Sequence, residues 1–130
     1  MKTLFCIRGI PGSGKTTAAE FLAGGDWPVI SADDYFMIDG KYIFNRASLG
    51  RAHEYCEKTV EEYMKANTEK IFVANTFTTE KEIATYKKLA DDNNYRFISL
   101  IVENRHGNSS IHNVPDDTIQ KMKDRFSIKL

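Results

Sequence analysis

The stretch Gly9-Ile10-Pro11-Gly12-Ser13-Gly14-Lys15-Thr16 restricts this chain to very few folds. It is a complete G-x-x-x-x-G-K-[ST] loop set directly after the apolar run Leu4-Phe5-Cys6-Ile7. That order demands a buried strand, a glycine-rich turn and a helix in succession. The glycines let consecutive backbone N–H groups curl around a phosphate at the N-terminus of the helix, whose partial positive charge favours anions. In such a loop Lys15 bridges the β- and γ-phosphates of a nucleoside triphosphate, and the Thr16 hydroxyl ligates Mg²⁺. The nucleotide-contacting set is then Gly9, Pro11, Gly12, Ser13, Gly14, Lys15, Thr16 and Thr17, with Thr16 as the metal ligand. No Asn/Thr-Lys-x-Asp motif for reading guanine is present, so ATP is the default nucleotide.

At 130 residues the chain has room for one core, and residues 1–130 read as a single domain built on the loop itself. Lys plus Arg and Asp plus Glu balance at 18 each, which excludes a broad electrostatic footprint for duplex nucleic acid. A partner held at one or two phosphates remains compatible with that balance. Cys6 and Cys56 lie far apart, with no C-x-x-C and no Cys/His grouping of metal spacing, and read as reduced core residues. The strand-like Lys2-Thr3-Leu4-Phe5 leads straight into the loop, and no apolar run approaches membrane-spanning length. The expectation is a soluble, cytoplasmic protein of a reducing, ATP-containing compartment.

Strands and helices alternate, the pattern of a parallel sheet covered by helices. Short, nearly continuous apolar runs predict buried strands over Thr3 to Arg8, Pro28 to Ser31, Lys70 to Asn75 and Arg96 to Val102. Helices are predicted over Lys15 to Ala23, ended by Gly24-Gly25, then about Arg46 to Ala66, Glu80 to Asp91 and Pro115 to Phe126. In the second helix Leu49, Ala52, Cys56, Val60, Tyr63 and Met64 share one stripe, opposite a charged face. Thr79 and Glu82 spell a capping box for the third. Two segments escape the regular plan: Met37 to Phe44, with Asp39-Gly40 as a hairpin turn, and the polar loop Asn104 to Asn113.

The second strand runs into Ala32-Asp33-Asp34, which sets two carboxylates at the C-terminal edge of the sheet, where open α/β folds bind ligands. A carboxylate there can take the proton of a hydroxyl as it attacks a γ-phosphate. Adjacent aspartates also serve as helix caps, so one is read as the base and the other as the cap. Tyr35, Phe36, Tyr42 and Phe44 cluster around the hairpin with Arg46 beside them. They suit either a stacked nucleobase or a local core.

The ordered series Ile7 to Thr16, Ser31-Ala32-Asp33-Asp34-Tyr35-Phe36, Gly40-Lys41-Tyr42-Ile43-Phe44-Asn45 and Leu49-Gly50-Arg51-Ala52-His53 resembles the polynucleotide-kinase-like P-loop kinases. This family includes phage 5′-hydroxyl polynucleotide kinases and related kinase domains. The likeness continues through Ile111-His112-Asn113-Val114-Pro115 and Met122-Lys123-Asp124-Arg125-Phe126, and so spans essentially the whole chain. It implies a three-layer α/β P-loop fold with a parallel sheet of four or five strands in the order 2-3-1-4, helices on both faces and a small lid at about 104–114.

The implied activity is ATP- and Mg²⁺-dependent transfer of a phosphoryl group to a hydroxyl, most simply the 5′ end of a single-stranded nucleic acid or a nucleotide. A small-molecule hydroxyl kinase and a nucleotide-binding module with little activity are the alternatives. By position the resemblance makes Asp33 the base, leaves Asp34 structural, and offers Arg105, in Asn104-Arg105-His106-Gly107, as the lid arginine that clamps the phosphoryl group. Lys15, Asp33 and Arg105 are then the catalytic set, with His106 and His112 as weaker lid contacts. The chain departs from the family twice. Its third strand ends Ala74-Asn75-Thr76-Phe77, without the family's carboxylate, and its lid reads Ser109-Ser110-Ile111-His112-Asn113-Val114-Pro115 rather than Arg-Asn-x-His-Gly-Val-Pro.

Overall fold

A computed structural model of the chain describes residues 1–107 and 114–130. Four strands, β1 (Thr3–Arg8), β2 (Val29–Ile30), β5 (Lys70–Asn75) and β6 (Arg96–Ile101), form one sheet in the spatial order β2-β5-β1-β6. All its pairings are parallel. In chain order of the four this is 2-3-1-4, as expected. The two short strands β3 (Met37–Ile38) and β4 (Lys41–Tyr42) form a separate antiparallel hairpin turned by Asp39 and Gly40, both with positive φ.

Alternation along the strands sorts the core into two layers. On one face Leu4 and Cys6 of β1 and Ile71 and Val73 of β5 pack under α2 (Leu49–Lys65) and α3 (Glu80–Asp92). On the other, Ile7, Phe72 and Ala74 pack under α1 (Lys15–Ala23), with the Phe5 and Phe72 rings stacked at 4.6 Å. Both cysteines are free and buried, Cys6 on β1 and Cys56 on α2. Among the described residues no helix is long and apolar enough to cross a membrane.

The helix stripe is narrower than its periodicity suggests. Ala52, Cys56, Val60 and Met64 of α2 are buried, whereas Leu49 is 41% and Tyr63 38% exposed. β2 is also shorter than expected: Pro28 has no N–H to pair, and Ser31 turns its hydroxyl to capping the 3₁₀ turn Ala32–Phe36. A second 3₁₀ turn, Arg46–Ser48, opens α2 where continuous helix is predicted. At α3 the Thr79 hydroxyl accepts the Glu82 N–H, but the Glu82 carboxylate reaches one residue further back, to the Thr78 N–H at 2.6 Å.

Nothing in the sequence pattern points to Arg8. It is 3% exposed at the end of β1, donates Nε–H to the Phe77 carbonyl at 2.9 Å and a terminal N–H to the Ser127 carbonyl at 2.6 Å, and lies over the Phe126 ring. Beyond α4 (Asp116–Arg125), the Ser127 N–H bonds the Thr78 carbonyl and Arg125 donates to the Thr78 hydroxyl. One buried guanidinium thus joins β1, the turn after β5 and the chain's last residues.

Candidate active site

The phosphate loop leaves β1 at the C-terminal edge of the sheet, where Arg8 stands level with Asn75 on one side and Ile101 on the other. Gly12 (φ 83°) and Gly14 (φ 91°) take left-handed backbone that side chains resist. A Cβ at Gly9 would lie 2.2 Å from Ser13 Oγ, so the loop closes this tightly only around glycine. The Ser13 hydroxyl is buried and makes no hydrogen bond among the described residues. An orphaned hydroxyl inside a ring of glycine turns at a helix N-terminus is a cradle whose chemistry suits a phosphate. The residues present therefore fit a nucleoside triphosphate.

Lys15 opens α1 and lays its ammonium 3.4 Å from the Ile10 carbonyl across the loop. Burial lowers its pKa, and the nearby Asp33 carboxylate opposes that shift. Lys15 at the head of α1 and Asp33 after β2 are thus near enough for their charges to interact. Thr16 and Thr17 follow on the exposed first turn of α1.

Asp33 sits on a closely braced turn. The Ser31 hydroxyl accepts the Asp33 N–H at 3.1 Å, and the Asp34 carboxylate accepts the Ser31 N–H at 3.0 Å, which makes a capping box. The Asp34 carboxylate therefore closes the turn, and burial raises its pKa. The Asp33 carboxylate accepts a hydrogen bond from the Tyr42 hydroxyl, brought over by the hairpin, at 3.2 Å. Burial, then the Asp33 charge, push the Tyr42 phenol up to about 12. Removing that charge eases phenol ionisation, so in Asp33→Asn the ultraviolet transition of Tyr42 is expected at lower pH than in the parent. An unmoved transition would show that the two groups do not interact.

The aromatic residues form a small core with an open rim. Phe36, 3% exposed, is ringed by Tyr35, Tyr42 and Phe44 at centroid distances of 5.7, 6.1 and 5.1 Å. Tyr35 also meets Tyr55 of α2, and Phe44 remains 52% exposed.

At the end of β5, Phe77 is 3% exposed and adopts φ 46°. Its edge-to-face packing on Tyr86 and the Arg8 bond to its carbonyl hold a backbone state that costs about 1–3 kcal/mol by itself. Behind it lies a cavity of about 200 Å³ lined by His53, Glu57, Asn75, Phe77, Glu82 and Tyr86 among others.

The lid candidates divide. Arg105 is exposed and pairs with Glu103 at 2.8 Å, whereas His106 reaches the loop, with Nε2 3.1 Å from the Ser13 carbonyl. A carbonyl only accepts, so this contact requires the proton on Nε2. The Asn104 side chain accepts the Gly107 N–H and folds the segment back. The structure thus brings Lys15, Asp33, Tyr42 and His106 around the loop and leaves Arg105 on Glu103. His112 and the lid residues 108–113 lie outside the described residues.

The AAA domain family AAA_33 matches residues 4–128. Human (Homo sapiens) NEDD4-binding protein 2 is 35% identical over 98 residues, which are 73% of this chain and 6% of that protein's length. The chain thus spans only a small part of the curated relatives it matches; for mouse (Mus musculus) 2′,3′-cyclic-nucleotide 3′-phosphodiesterase, 27% identical over 100 residues, the stretch is 75% of this chain and 23% of that protein. Among solved structures, a Pnkp1/Rnl/Hen1 complex superposes with a TM-score of 0.64 at 18% identity over 92% of this chain and 38% of that one. The chain belongs to the AAA_33 family of AAA domains and has the P-loop kinase fold.

Proposed function

We propose that the chain is an ATP-dependent kinase that transfers the γ-phosphoryl group to a hydroxyl, with the 5′-hydroxyl of a nucleic acid or nucleotide as acceptor. The observation that carries this reading is the Asp33 carboxylate on the turn after β2, held by the Tyr42 hydroxyl and near enough to Lys15 for their charges to interact. A carboxylate there can take the proton of an attacking hydroxyl, which binding alone does not require. Bound ATP with Mg²⁺ supplies the electrophilic phosphorus. Lys15 and the loop N–H groups would hold its phosphates, and the Thr16 hydroxyl would hold the metal. Asp33 takes the acceptor's proton, while the Tyr42 hydrogen bond keeps its carboxylate aimed. Arg105 leaves Glu103 to grip the transferring group, and His106 fastens the lid segment to the loop. The motif series shared with the polynucleotide-kinase-like kinases supports a nucleic-acid 5′ end, while the fold itself is common to a sugar kinase and a gluconokinase as well.

The cavity beside Asn75 favours a second acceptor class, a small hydroxyl compound. It is compact and lined by polar side chains, His53 and Glu57 among them, that can hydrogen-bond hydroxyl groups. γ-Labelled ATP and Mg²⁺ offered with single-stranded 5′-hydroxyl DNA and RNA, nucleosides and small polyols decides between them. Label on the oligonucleotide end is the expected result. Label on polyols alone supports the second acceptor, and ATP binding without any transfer overturns the kinase assignment.

A further inference from the structure

We propose that Asn75 is a positioning residue for Asp33: its side-chain amide clamps the turn that carries the carboxylate to helix α2. The inference rests on the assignment of Asp33 as base. Asn75 is the last residue of β5, 6% exposed, and Ile30 of β2 pairs with Val73 of the same strand. The chain leaving β2 therefore passes directly over Asn75. There its Oδ1 accepts the Ala32 N–H at 2.8 Å and the Ser31 hydroxyl at 3.4 Å. Its Nδ2 donates to Cys56 Sγ of α2 at 3.6 Å, and Cys56 is fully buried.

The clamp matters because β2 has only two paired residues, so the sheet ladder does little to fix the turn at its end. Ser31 and Asp34 brace the turn from within, the hairpin holds it at Asp33 and Phe36, and Asn75 ties its first residues to the sheet and to α2. An amide suits the place because it accepts on one side and donates on the other. A carboxylate could still accept from Ala32. It could not donate to the sulfur, and it would bury a third carboxylate beside Asp33 and Asp34. The absence of a third-strand carboxylate is then a different way of holding the base, not a decayed metal site.

The test compares Asn75→Ala and Asn75→Asp in the full chain, with a 5′-hydroxyl oligonucleotide as acceptor. In Asn75→Ala the Ala32 amide is expected to exchange with solvent about tenfold faster or more, while Ile83 and Tyr86 in α3 keep their protection. kcat should fall about tenfold or more, with KM for ATP within about threefold. In Asn75→Asp, which keeps the Ala32 bond and guards against a misfolded alanine variant, kcat should also fall, and the half-saturating Mg²⁺ concentration should not change. Preserved kcat with a lower Mg²⁺ requirement in Asn75→Asp would show that this position serves the metal. Unchanged exchange at Ala32, or faster exchange with unchanged kcat, would equally overturn the proposal. Turnover retained in Asp33→Asn defeats the base assignment alone, because the exchange at Ala32 reads the clamp without any turnover.

Discussion

Asp33→Asn should lower phosphoryl transfer by about 10²–10⁴, the range for removal of a positioned general base. Its ATP affinity should stay within a few fold. Asparagine is nearly isosteric and its carbonyl still accepts the Tyr42 hydroxyl, so the hairpin stays docked. The turn itself survives, because its braces run through the Asp33 backbone N–H, Ser31 and Asp34. The variant loses the ability to take a proton and the negative charge near Lys15. The first loss strikes kcat. The second leaves Lys15 with one anion fewer to balance, which for ATP is neutral or mildly favourable. Labelled transfer at saturating ATP, beside a direct nucleotide titration, separates the two. Turnover within about twofold of the parent would remove Asp33 from the base role, whatever the acceptor.

An element is legible in the sequence to the extent that its causes are local. α1 spans Lys15–Ala23 as predicted because the left-handed glycines 14 and 24 that bound it are written into the chain. β1 and β5 also match, since a continuous apolar run of that length fits a buried parallel strand well. The strand order comes with the family resemblance and is seen in the sheet. α2 shows where periodicity stops informing. Leu49 and Tyr63 lie on the apolar stripe yet stay exposed, while Ala52, Cys56, Val60 and Met64 of the same stripe are buried.

The site is legible in its anchors and obscure in its supports. Lys15 and Asp33 are each named by a motif at a strand end, and the fold brings them near enough for their charges to interact. Asn75 reads as a missing carboxylate, because a sequence shows which group is absent and not which N–H the present one accepts. Arg8 cannot be foreseen, since its partners are two carbonyls and a ring as far as 119 positions away. In the lid, Arg105 carries the charge that the chemistry favours, yet the Asn104–Gly107 turn directs its neighbour His106 to the loop. A side-chain-to-backbone bond of this kind is visible in sequence only as an Asn placed shortly before a Gly.

Lys15→Ala should weaken both nucleotide binding and transfer, in contrast to the selective loss at Asp33. A charge-assisted contact to phosphate is worth about 1.5–3 kcal/mol, so ATP affinity should drop by about 10- to 150-fold. Transfer at saturating ATP should fall by a further 10²–10³ or so, the usual effect of removing one donor aimed at charge that grows in the transition state. The fold should tolerate the change. Its ammonium touches the Ile10 carbonyl at a long 3.4 Å, and burial already disfavours the charged form, so alanine removes a weak contact together with a desolvation cost. Tm of the ligand-free variant is therefore expected to be unchanged or slightly raised, while the upward shift that ATP gives the parent should largely disappear. Lys15→Arg should not restore activity: the planar fork is larger than an ammonium and cannot lie across a loop this tight around Ser13. If Lys15→Ala bound and transferred as the parent does, the loop would not be a phosphate site, and Asp33, Tyr42 and His106 would face a turn with no chemistry to serve.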